Sequence, residues 1–387
     1  MHIHASSPFS VSSDDDVDPS PFRQYPSALR KLPIAVVVGE KTGTTPAELR
    51  EEAREGGWEN VTVGSARLPI PWGVHHSKLS LFEDGDGAVH VIVSTANLVP
   101  GDWHAKTQMF YYMSGVSEGD EVSEGQPLIA QDLLQYLLQY NLEQVAYWTD
   151  RLKFIRFAPT SDRIIYSFPG YHKGQIKNTV GHLALRAALR DKARKETNNQ
   201  KLLILQCSSI GSLGGKAETW LLPQFCKSLR GEGNSSCTRV FLVFPTVKDV
   251  QASFEGCAAG GSLPYRRETD DRQPWLRPMM CKWKADTWGR TQAMPHVKCY
   301  TQISHERKPE WQLVTSANLS KAAWGEEQKE GTQIAIRSYE VGVLVVDEER
   351  IRLPFDYPLV RYGKDDRPWI VDDMQQLMKE ELLASRR

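Results

Sequence analysis

The stretch IVSTANLVPGDW occupies residues 92–103, and the stretch LVTSANLSKAAW occupies residues 313–324. Each begins with apolar residues, passes through Ala-Asn-Leu and ends on a Trp six positions after the Asn. Two such similar stretches in one chain indicate an internal duplication. We therefore expect two similar halves, each of which presents its Asn at the end of a strand.

A His-x-Lys triplet precedes each of the two stretches. The His stands 21 residues before the Asn in the first copy and 22 residues before it in the second. A third His-x-Lys, at residues 104–106, has no Ala-Asn-Leu at that distance downstream, so the triplet alone also occurs without the larger pattern. The two complete sets are His76, Lys78 and Asn97 in the first copy, and His296, Lys298 and Asn318 in the second.

The composition is that of an ordinary globular chain. Of the 387 residues, 40% are hydrophobic and 25% are charged, which permits a large buried core. The sequence has no apolar run long enough to span a membrane and no signal-peptide pattern near its start, so we expect an intracellular protein. Because the formal net charge is −1, the overall charge does not attract nucleic acid, and any DNA site must be a local groove.

The six Cys residues all lie in the second half of the chain, and no two of them form a CxxC pair. Without such spacing, free thiols are favoured over a zinc site or a disulfide framework. We therefore expect no metal and no cofactor.

The local patterns predict strands that alternate with helices. Residues 32–40, LPIAVVVGE, are typical of a buried strand, and residues 44–56 have the capping Thr, early Pro and closing Gly of a helix. Other strands are predicted at residues 89–95, 201–207, 239–245, 311–316 and 341–346, and other helices at residues 129–150 and 180–196. Alternation of this kind is typical of α/β layers.

The domain organisation follows from these patterns and the duplication. Residues 1–24 are rich in Ser, Asp and Pro, so we expect a disordered tail there. Residues 25–158 and 159–387 are the two predicted halves. We expect an α/β fold with two pseudo-symmetric α/β/α halves, mixed sheets sandwiched by helices and one active site at their interface.

The repeated residues suit the chemistry of a phosphate diester. We expect each triplet to lie on a strand, where positions i and i+2 face the same side, so that it directs an imidazole and an ammonium group into one space. Two imidazoles, two ammonium groups and two amides supply donors and positive charge without a metal-binding pair of carboxylates. One His can attack phosphorus while the other protonates the leaving oxygen, and the two Lys can provide the charge that Mg²⁺ provides elsewhere.

The duplicated His-x-Lys and Asn pattern resembles that of the phospholipase D superfamily. The usual phospholipase D form has an Asp after the Lys and a Gly-Ser before the Asn, whereas this chain has neither. From residue 24 to residue 370 the sequence is instead similar to the tyrosyl-DNA phosphodiesterase family. The strings that carry this resemblance are HHSKLSLF, STANLVPGDWHAKTQ, SSIGSLG, GGSLPY, AMPHVKCY, TSANLSKAAWG, GTQIAIRSYEVGVL and DRPWI.

The resemblance implies a role for each matching residue. His76 matches the nucleophile of the family, and His296 matches the general acid that later activates water. The Lys and Asn residues of both sets match groups that hold the phosphate oxygens. Gln108 and Glu340 match the side chains that orient the imidazoles.

The resemblance also implies a narrow groove for single-stranded DNA on one side of the site and a wider groove for peptide on the other. Trp72 matches an aromatic residue that stacks on a base. Trp369 is expected to line the peptide side. The residues expected to contact DNA are Trp72, Gly73, Ser208, Ser209, Ser212, Pro264, Arg272 and Ala322.

The implied activity is hydrolysis of a 3′-phosphotyrosyl bond between DNA and a peptide derived from topoisomerase I. Other 3′-blocking adducts are further possible substrates. The implied partners are single-stranded or nicked DNA 3′ ends, no membrane and no second subunit, and the implied location is the nucleus. Two alternatives remain open: a phospholipase or nuclease of the same superfamily, and a DNA-end binding module that has lost catalysis.

Overall fold

The computed structural model describes residues 2–3, 31–40, 45–58, 60–122, 124–194, 201–231 and 239–385. Within these residues the chain forms two seven-stranded mixed sheets and one three-stranded sheet. The chain passes from the first large sheet to the second between Phe157 and Arg163.

The first large sheet has the strand order β3-β2-β1-β4-β5-β6-β7. The pairs β1–β2 and β2–β3 are parallel, and the pairs β1–β4, β4–β5, β5–β6 and β6–β7 are antiparallel. The bounds are β1 His2–Ile3, β2 Ile34–Gly39, β3 Val61–Ala66, β4 Leu79–Glu83, β5 Val89–Ser94, β6 Phe110–Ser117 and β7 Ile155–Phe157.

The second large sheet repeats this arrangement. Its strands are β8 Arg163–Ser167, β10 Leu202–Gln206, β11 Arg239–Val243, β12 Met280–Cys281, β13 Cys299–Ile303, β14 Pro309–Thr315 and β17 Glu340–Val345. Their order is β12-β11-β10-β13-β14-β17-β8, again with three parallel strands followed by antiparallel ones. The three-stranded sheet consists of β9 Gly170–Lys173, β15 Glu326–Gln328 and β16 Gln333–Ile336.

The helices lie between these strands. They are α1 Pro46–Glu55, α2 Pro100–His104, α3 Leu128–Leu138, α4 Glu143–Arg151, α5 Gly181–Arg194, α6 Lys227–Leu229, α7 Val247–Gln251, α8 Arg267–Arg272, α9 Lys321–Trp324 and α10 Met374–Ser385. Helix α1 begins with a capping box, in which the Thr45 hydroxyl accepts from the N–H of Glu48 at 3.2 Å. No described helix is long and apolar enough to cross a membrane.

The α/β fold and the predicted strands are confirmed, and two expectations are corrected. The helix predicted over residues 129–150 is two helices, because the chain turns at Asn141, whose φ of 47° lies in the left-handed region. His2–Ile3 does not belong to a disordered tail. It forms strand β1, which pairs with β2 on one side and with β4 on the other. Residues 4–30 lie outside the described residues.

One apolar core joins the two large sheets. Leu79 and Val91 of the first sheet belong to the same buried cluster as Val341 and Val343 of the second, and each of the four is at most 1% exposed. A shared core holds the halves in a fixed relation.

The described Cys residues are free, buried thiols, namely Cys207, Cys226, Cys257, Cys281 and Cys299.

Candidate active site

The two His-x-Lys segments lie directly before β4 and β13 rather than within those strands. In each segment the Lys Nζ donates to the carbonyl of the His two residues earlier, at 2.9 Å for Lys78 and 2.7 Å for Lys298. This contact holds each ammonium group beside the main chain of its own His. Lys78 is 4% exposed and Lys298 is fully buried, so both ammonium groups are held inside the protein.

Main-chain hydrogen bonds between the halves flank each His. The N–H of His76 donates to the carbonyl of Tyr339 at 3.0 Å, and the N–H of His296 donates to the carbonyl of Thr107 at 3.1 Å. Each accepting residue belongs to the half that does not contain the His. The site therefore exists only where the two halves meet.

Glu340 orients the imidazole of His76. Its Oε2 lies 3.0 Å from Nδ1 of His76 and also accepts from the hydroxyl of Ser316. The side chain of His76 is 13% exposed and that of Glu340 is 5% exposed. A carboxylate at Nδ1 favours the tautomer that carries its proton there, which leaves Nε2 with a free lone pair.

His296 has two partners at Nδ1. The Nε2 of Gln108 lies 3.2 Å away, and the Oδ2 of Asp102 lies 3.1 Å away. The side chains of His296 and Asp102 are 7% and 8% exposed. One ring nitrogen cannot both donate to the carboxylate and accept from the amide, so the two partners favour different tautomers.

The amide of Gln108 is fixed by two further hydrogen bonds. Its Oε1 accepts from the hydroxyl of Thr95 at 2.7 Å, and its Nε2 donates to the main-chain carbonyl of Asp102 at 3.2 Å. These contacts turn the NH₂ group, rather than the oxygen, towards His296. Gln108 therefore offers His296 a donor and not an acceptor.

Three donors fix the amide of Asn318. Its Oδ1 accepts from the N–H of Ser208 at 3.1 Å, from the hydroxyl of Ser208 at 3.3 Å and from the N–H of Ser209 at 3.0 Å. The amide nitrogen is consequently left to donate to a ligand. The hydroxyl of Ser209 donates to the carbonyl of Pro264 at 3.2 Å, so three residues expected to contact DNA lie together beside Asn318.

Asn97 is held by its main chain. Its N–H donates to Oδ2 of Asp102 at 2.6 Å, and the residue is 7% exposed. Among the described residues its buried Oδ1 has no hydrogen-bond partner. A buried amide with an unfilled position can accept a hydrogen bond from a polar group that enters the site.

Burial lowers the pKa of both Lys residues. The pKa of Lys298 falls to about 7 because burial disfavours the ammonium form and Lys78 repels it. The pKa of Lys78 falls to about 8, with burial as the largest cause and Glu340 and Asp102 in opposition. An anionic phosphate between the two Lys would favour the charged form of both.

Burial also lowers the pKa of both His residues. For His76 the next cause is repulsion by Lys78, which Glu340 opposes. For His296 the pKa falls to about 4, against the attraction of Asp102. Both imidazoles are therefore neutral at pH 7 in the unliganded protein.

Both carboxylates of the site remain ionised. Burial alone would raise the pKa of Asp102, but its contacts with His296 and with the N–H of Asn97 hold that pKa below 3.8. Burial would also raise the pKa of Glu340, but its contacts with His76 hold that pKa below 4.5. Each imidazole therefore faces a negative charge.

Trp72 and Gly73 form a turn before His76. Trp72 has a φ of 65° and is 86% exposed. That conformation is strained for a bulky residue, and an exposed strained aromatic is a candidate for contact with a ligand. At Gly73 a Cβ would lie 2.1 Å from the carbonyl oxygen of Arg337, so only Gly fits where this turn meets the other half.

Ser212, Arg272 and Ala322 lie outside the hydrogen-bonded cluster. Ser212 and Arg272 are exposed, and Arg272 pairs with Glu268 at 2.6 Å. The carbonyl of Ala322 accepts from the N–H of Arg337 at 3.0 Å. Within the described part of the chain, we observe no hydrogen bond or ion pair between these three residues and the two His-Lys-Asn sets.

Trp369 does not line a groove, contrary to expectation. It is fully buried, and its indole N–H donates to the carbonyl of Gly260 at 3.0 Å. A Cβ on Gly260 would lie 1.9 Å from the Trp369 ring, so the ring packs directly against the backbone there. Its role is in the core of the second half.

Asp102 is the part of the site that the sequence motifs did not reveal. It lies on the short helix α2, five residues after Asn97, where the second copy has Ala323. The difference between the copies at this position was the available signal.

Among the described residues, no group of three or more His, Cys, Asp or Glu side chains could hold a metal ion.

Comparison with known sequences gives a family match over most of the chain. The family model described as tyrosyl-DNA phosphodiesterase matches residues 21–363. A Caenorhabditis elegans protein named probable tyrosyl-DNA phosphodiesterase is 44% identical over 363 residues, which cover 90% of this chain and 78% of that protein. Tyrosyl-DNA phosphodiesterase 1 of Drosophila melanogaster is 32% identical, with 82% of this chain and 60% of the relative covered.

The chain spans a smaller share of some other relatives. Tyrosyl-DNA phosphodiesterase 1 of Arabidopsis thaliana is 35% identical over 80% of this chain, but the match covers 52% of that protein. Among solved structures, the yeast tyrosyl-DNA phosphodiesterase is 20% identical and superposes with a TM-score of 0.70 over 87% of both chains. This likeness supports the two-half fold.

Proposed function

The chain belongs to the tyrosyl-DNA phosphodiesterase family, whose members are phosphodiester hydrolases that act on tyrosyl-DNA linkages, and we propose that it cleaves the 3′-phosphodiester bond between DNA and a tyrosine. The products are a DNA 3′-phosphate and a tyrosyl peptide, such as one derived from topoisomerase I. The observation that supports this proposal is the pair of carboxylate-paired imidazoles, His76 with Glu340 and His296 with Asp102.

The first step forms a covalent phosphohistidine. The bound anionic phosphate favours the charged form of His296, which then carries a proton on Nε2 as well as on Nδ1. The lone pair on Nε2 of His76 attacks phosphorus, the bond from phosphorus to the tyrosyl oxygen breaks, and His296 gives its Nε2 proton to the leaving phenolate. Glu340 stabilises the positive charge that develops on His76. Because the phenol has a pKa of about 10, it leaves with modest help from the acid.

The second step hydrolyses the intermediate. His296 now takes a proton from water, the water oxygen bonds to phosphorus, and the bond from phosphorus to His76 breaks. The DNA leaves with a 3′-phosphate, and His76 returns to its neutral form. The acid of the first step is thus the base of the second.

The Lys and Asn residues hold the phosphate oxygens. Lys78 and Lys298 supply positive charge from buried positions, where electrostatic stabilisation is stronger than in water. The amide oxygen of Asn318 accepts from three donors, which leaves its amide nitrogen to donate to a phosphate oxygen, and Asn97 is the corresponding residue of the first set. These groups supply the charge compensation, so the proposed reaction requires no metal.

The DNA side of the site comprises Trp72 and the loop around Ser208 and Ser209. An exposed indole can stack on a base, which contributes about 1–3 kcal/mol. The Ser209 and Pro264 contact keeps the loop beside Asn318. We propose single-stranded or nicked DNA 3′ ends as substrates, with other 3′-blocking adducts as a wider range.

We propose residues 25–158 and 159–387 as the two halves, each of which contributes one His, one Lys and one Asn. Since one chain contains both sets, we propose that the protein works as a monomer. DNA repair chemistry of this kind supports our proposal of a nuclear location.

The direct test is incubation of the protein with an end-labelled single-stranded oligonucleotide that carries a 3′-phosphotyrosine, in excess EDTA. We expect conversion to the 3′-phosphate, which migrates faster on a denaturing gel. Conversion only after metal is added would contradict the two-histidine reaction. Binding without conversion would favour the DNA-end binding module, and cleavage of phosphatidylcholine instead would favour a lipid hydrolase.

A further inference from the structure

We infer that Asp102 is the positioning residue of His296, and that it selects the tautomer that can accept a proton from water. This inference rests on the proposed function, because it concerns the second step of that reaction. Helix α2, which carries Asp102, thereby takes part in hydrolysis of the intermediate, a role that the repeated motifs did not indicate.

Gln108 and Glu340 occupy equivalent positions of the two halves. Gln108 lies two residues before Phe110, which pairs with Ser94, the last residue of β5. Glu340 lies two residues before Gly342, which pairs with Thr315, the last residue of β14. Each also accepts a hydrogen bond from a hydroxyl two positions before its copy's Asn, namely Thr95 for Gln108 and Ser316 for Glu340. The duplication therefore supplies a carboxylate for His76 but only an amide for His296.

Asp102 restores the missing carboxylate from a different place. Its Oδ2 lies 3.1 Å from Nδ1 of His296 and is anchored by the N–H of Asn97 at 2.6 Å. The equivalent position of the second copy is Ala323, which is 2% exposed and carries no polar group. Each imidazole thus has a carboxylate partner, but the two carboxylates stand at positions that the duplication does not relate.

The chemical consequence concerns the proton on the ring. With Asp102 as acceptor, the neutral His296 carries its proton on Nδ1, and Nε2 can take a proton from water. Without Asp102, the NH₂ group of Gln108 at 3.2 Å remains as a donor and favours the proton on Nε2. That tautomer cannot accept a proton from water in the second step, whereas the first step depends less on His296 because the phenolate leaves with modest help from an acid.

The charged groups around His296 agree with this assignment. Asp102 attracts the imidazolium, while Lys298 and Lys78 repel it. Asp102 is therefore the negative charge that compensates two nearby ammonium groups at this ring. We expect its removal to move the pH dependence of intermediate hydrolysis as well as its rate, since a merely structural change would not alter the titration of His296.

The experiment is rapid-quench kinetics of Asp102→Asn with the 3′-phosphotyrosyl oligonucleotide. The amide oxygen of Asn can still accept from the N–H of Asn97, so the loop is retained, but the variant lacks the negative charge that holds the proton on Nδ1 of His296. We expect adduct formation within about fivefold of the unmodified protein and adduct hydrolysis slowed roughly 10²-fold, so that protein-linked DNA accumulates. The matched control is Asp84→Asn, which alters another Asp–His contact, with His90 at 3.0 Å, and should leave both steps unchanged.

A rescue variant separates positioning from folding. In Asp102→Asn with Gln108→Glu, the new carboxylate stands where Glu340 stands in the other half, so a negative charge again faces His296. We expect partial recovery of adduct hydrolysis in this double variant, with the melting temperature measured in parallel.

Three results would overturn the inference while the unmodified protein still converts the substrate. These are equal slowing of both steps, hydrolysis unaffected by Asp102→Asn, and failure of Gln108→Glu to restore hydrolysis in a folded double variant. Failure of the unmodified protein to convert the oligonucleotide would instead contradict the proposed function.

Discussion

The two His-x-Lys segments have the same hydrogen bonds on the site side but different neighbours behind them. On the site side each Lys donates to the carbonyl of its own His, and each His N–H donates across to the other half. Behind the first segment, the ring of His75 bonds to the Tyr140 hydroxyl at 2.9 Å, and Ser77 bonds to the Tyr136 hydroxyl. Behind the second, Pro295 and Val297 are buried without polar side chains.

The proposed reaction requires the same groups on the site side of both halves, whereas the fold tolerates different groups behind them. The groups that we propose to contact the phosphate are present in both halves, with the same backbone hydrogen bonds. The groups behind them need only fill space and satisfy their own hydrogen bonds, so one half uses a chain of hydroxyls and the other uses apolar residues. Roles within the cluster therefore depend on the partner of each imidazole and not on the repeated triplet.

The largest effect should follow from loss of the nucleophile. We predict that His76→Ala lowers turnover by at least about 10⁴-fold and abolishes the covalent adduct, because no other group can form the intermediate. Single-turnover cleavage of the 3′-phosphotyrosyl oligonucleotide measures this. Substantial remaining cleavage would mean that the two halves can exchange roles and that the comparison is wrong.

The repeated Trp residues should differ in their effect on stability. Trp324 is 2% exposed and packs against Phe225 and Tyr300 with ring centroids at 5.0 Å and 5.3 Å, whereas Trp103 is 49% exposed. We expect Trp324→Ala to lower the free energy of unfolding by about 3–5 kcal/mol and Trp103→Ala to lower it by much less. Urea unfolding of both variants gives the two values, and similar losses would show that the position is structurally equivalent in both halves.

Trp72 tests whether the exposed turn of the first half contacts DNA. We expect Trp72→Ala to weaken binding of single-stranded DNA by about 1–3 kcal/mol, with little change in melting temperature because the side chain is 86% exposed. Tyr147→Ala, on α4 and 57% exposed, is the control for loss of an exposed aromatic side chain. Fluorescence anisotropy with a labelled oligonucleotide measures the affinity. Equal affinity of the Trp72 variant and the unmodified protein would remove the proposed stacking.

The last prediction concerns the buried ammonium groups. Lys298 has a pKa of about 7 in the folded protein and 10.5 in an ordinary environment, so between these values the unfolded chain binds more protons than the folded one. This group therefore makes stability rise as the pH increases from about 7 to about 10. Lys298→Met removes that contribution.

We expect Lys298→Met to melt at a higher temperature than the unmodified protein at pH 6, and the difference to shrink towards pH 9.5. Thermal unfolding across this range, with Lys78→Met beside it, measures the contribution from each half. Parallel melting curves for the variant and the unmodified protein would contradict the lowered pKa.

The sequence predicted the α/β fold and the segments that carry the repeated residues, because β-branched runs, capping residues and motif spacing are local signals. It placed Trp369 wrongly, since a Trp in a polar loop gives no local sign of the Gly260 backbone that buries it. The break at Asn141 was also hidden, because the apolar periodicity continues on both sides of the turn.

The contact of Asp102 with His296 could not be derived from motif spacing. It connects residues 194 positions apart through a short helix, and only the packed interface brings them to 3.1 Å. Gln108 and Glu340 were suggested by family resemblance rather than by local pattern, for the same reason. Contacts made across the two halves depend on tertiary packing that no single segment encodes.

The most direct test of the assigned roles is to trap the intermediate in His296→Ala and locate it. The variant lacks the base of the second step, while the phenolate still leaves in the first, so protein-linked DNA should accumulate. Digestion and mass spectrometry should then place the phosphate on His76. A phosphate on any other residue, or loss of activity without protein-linked DNA, would contradict the account in which Glu340 prepares one imidazole to attack and Asp102 prepares the other to move the proton.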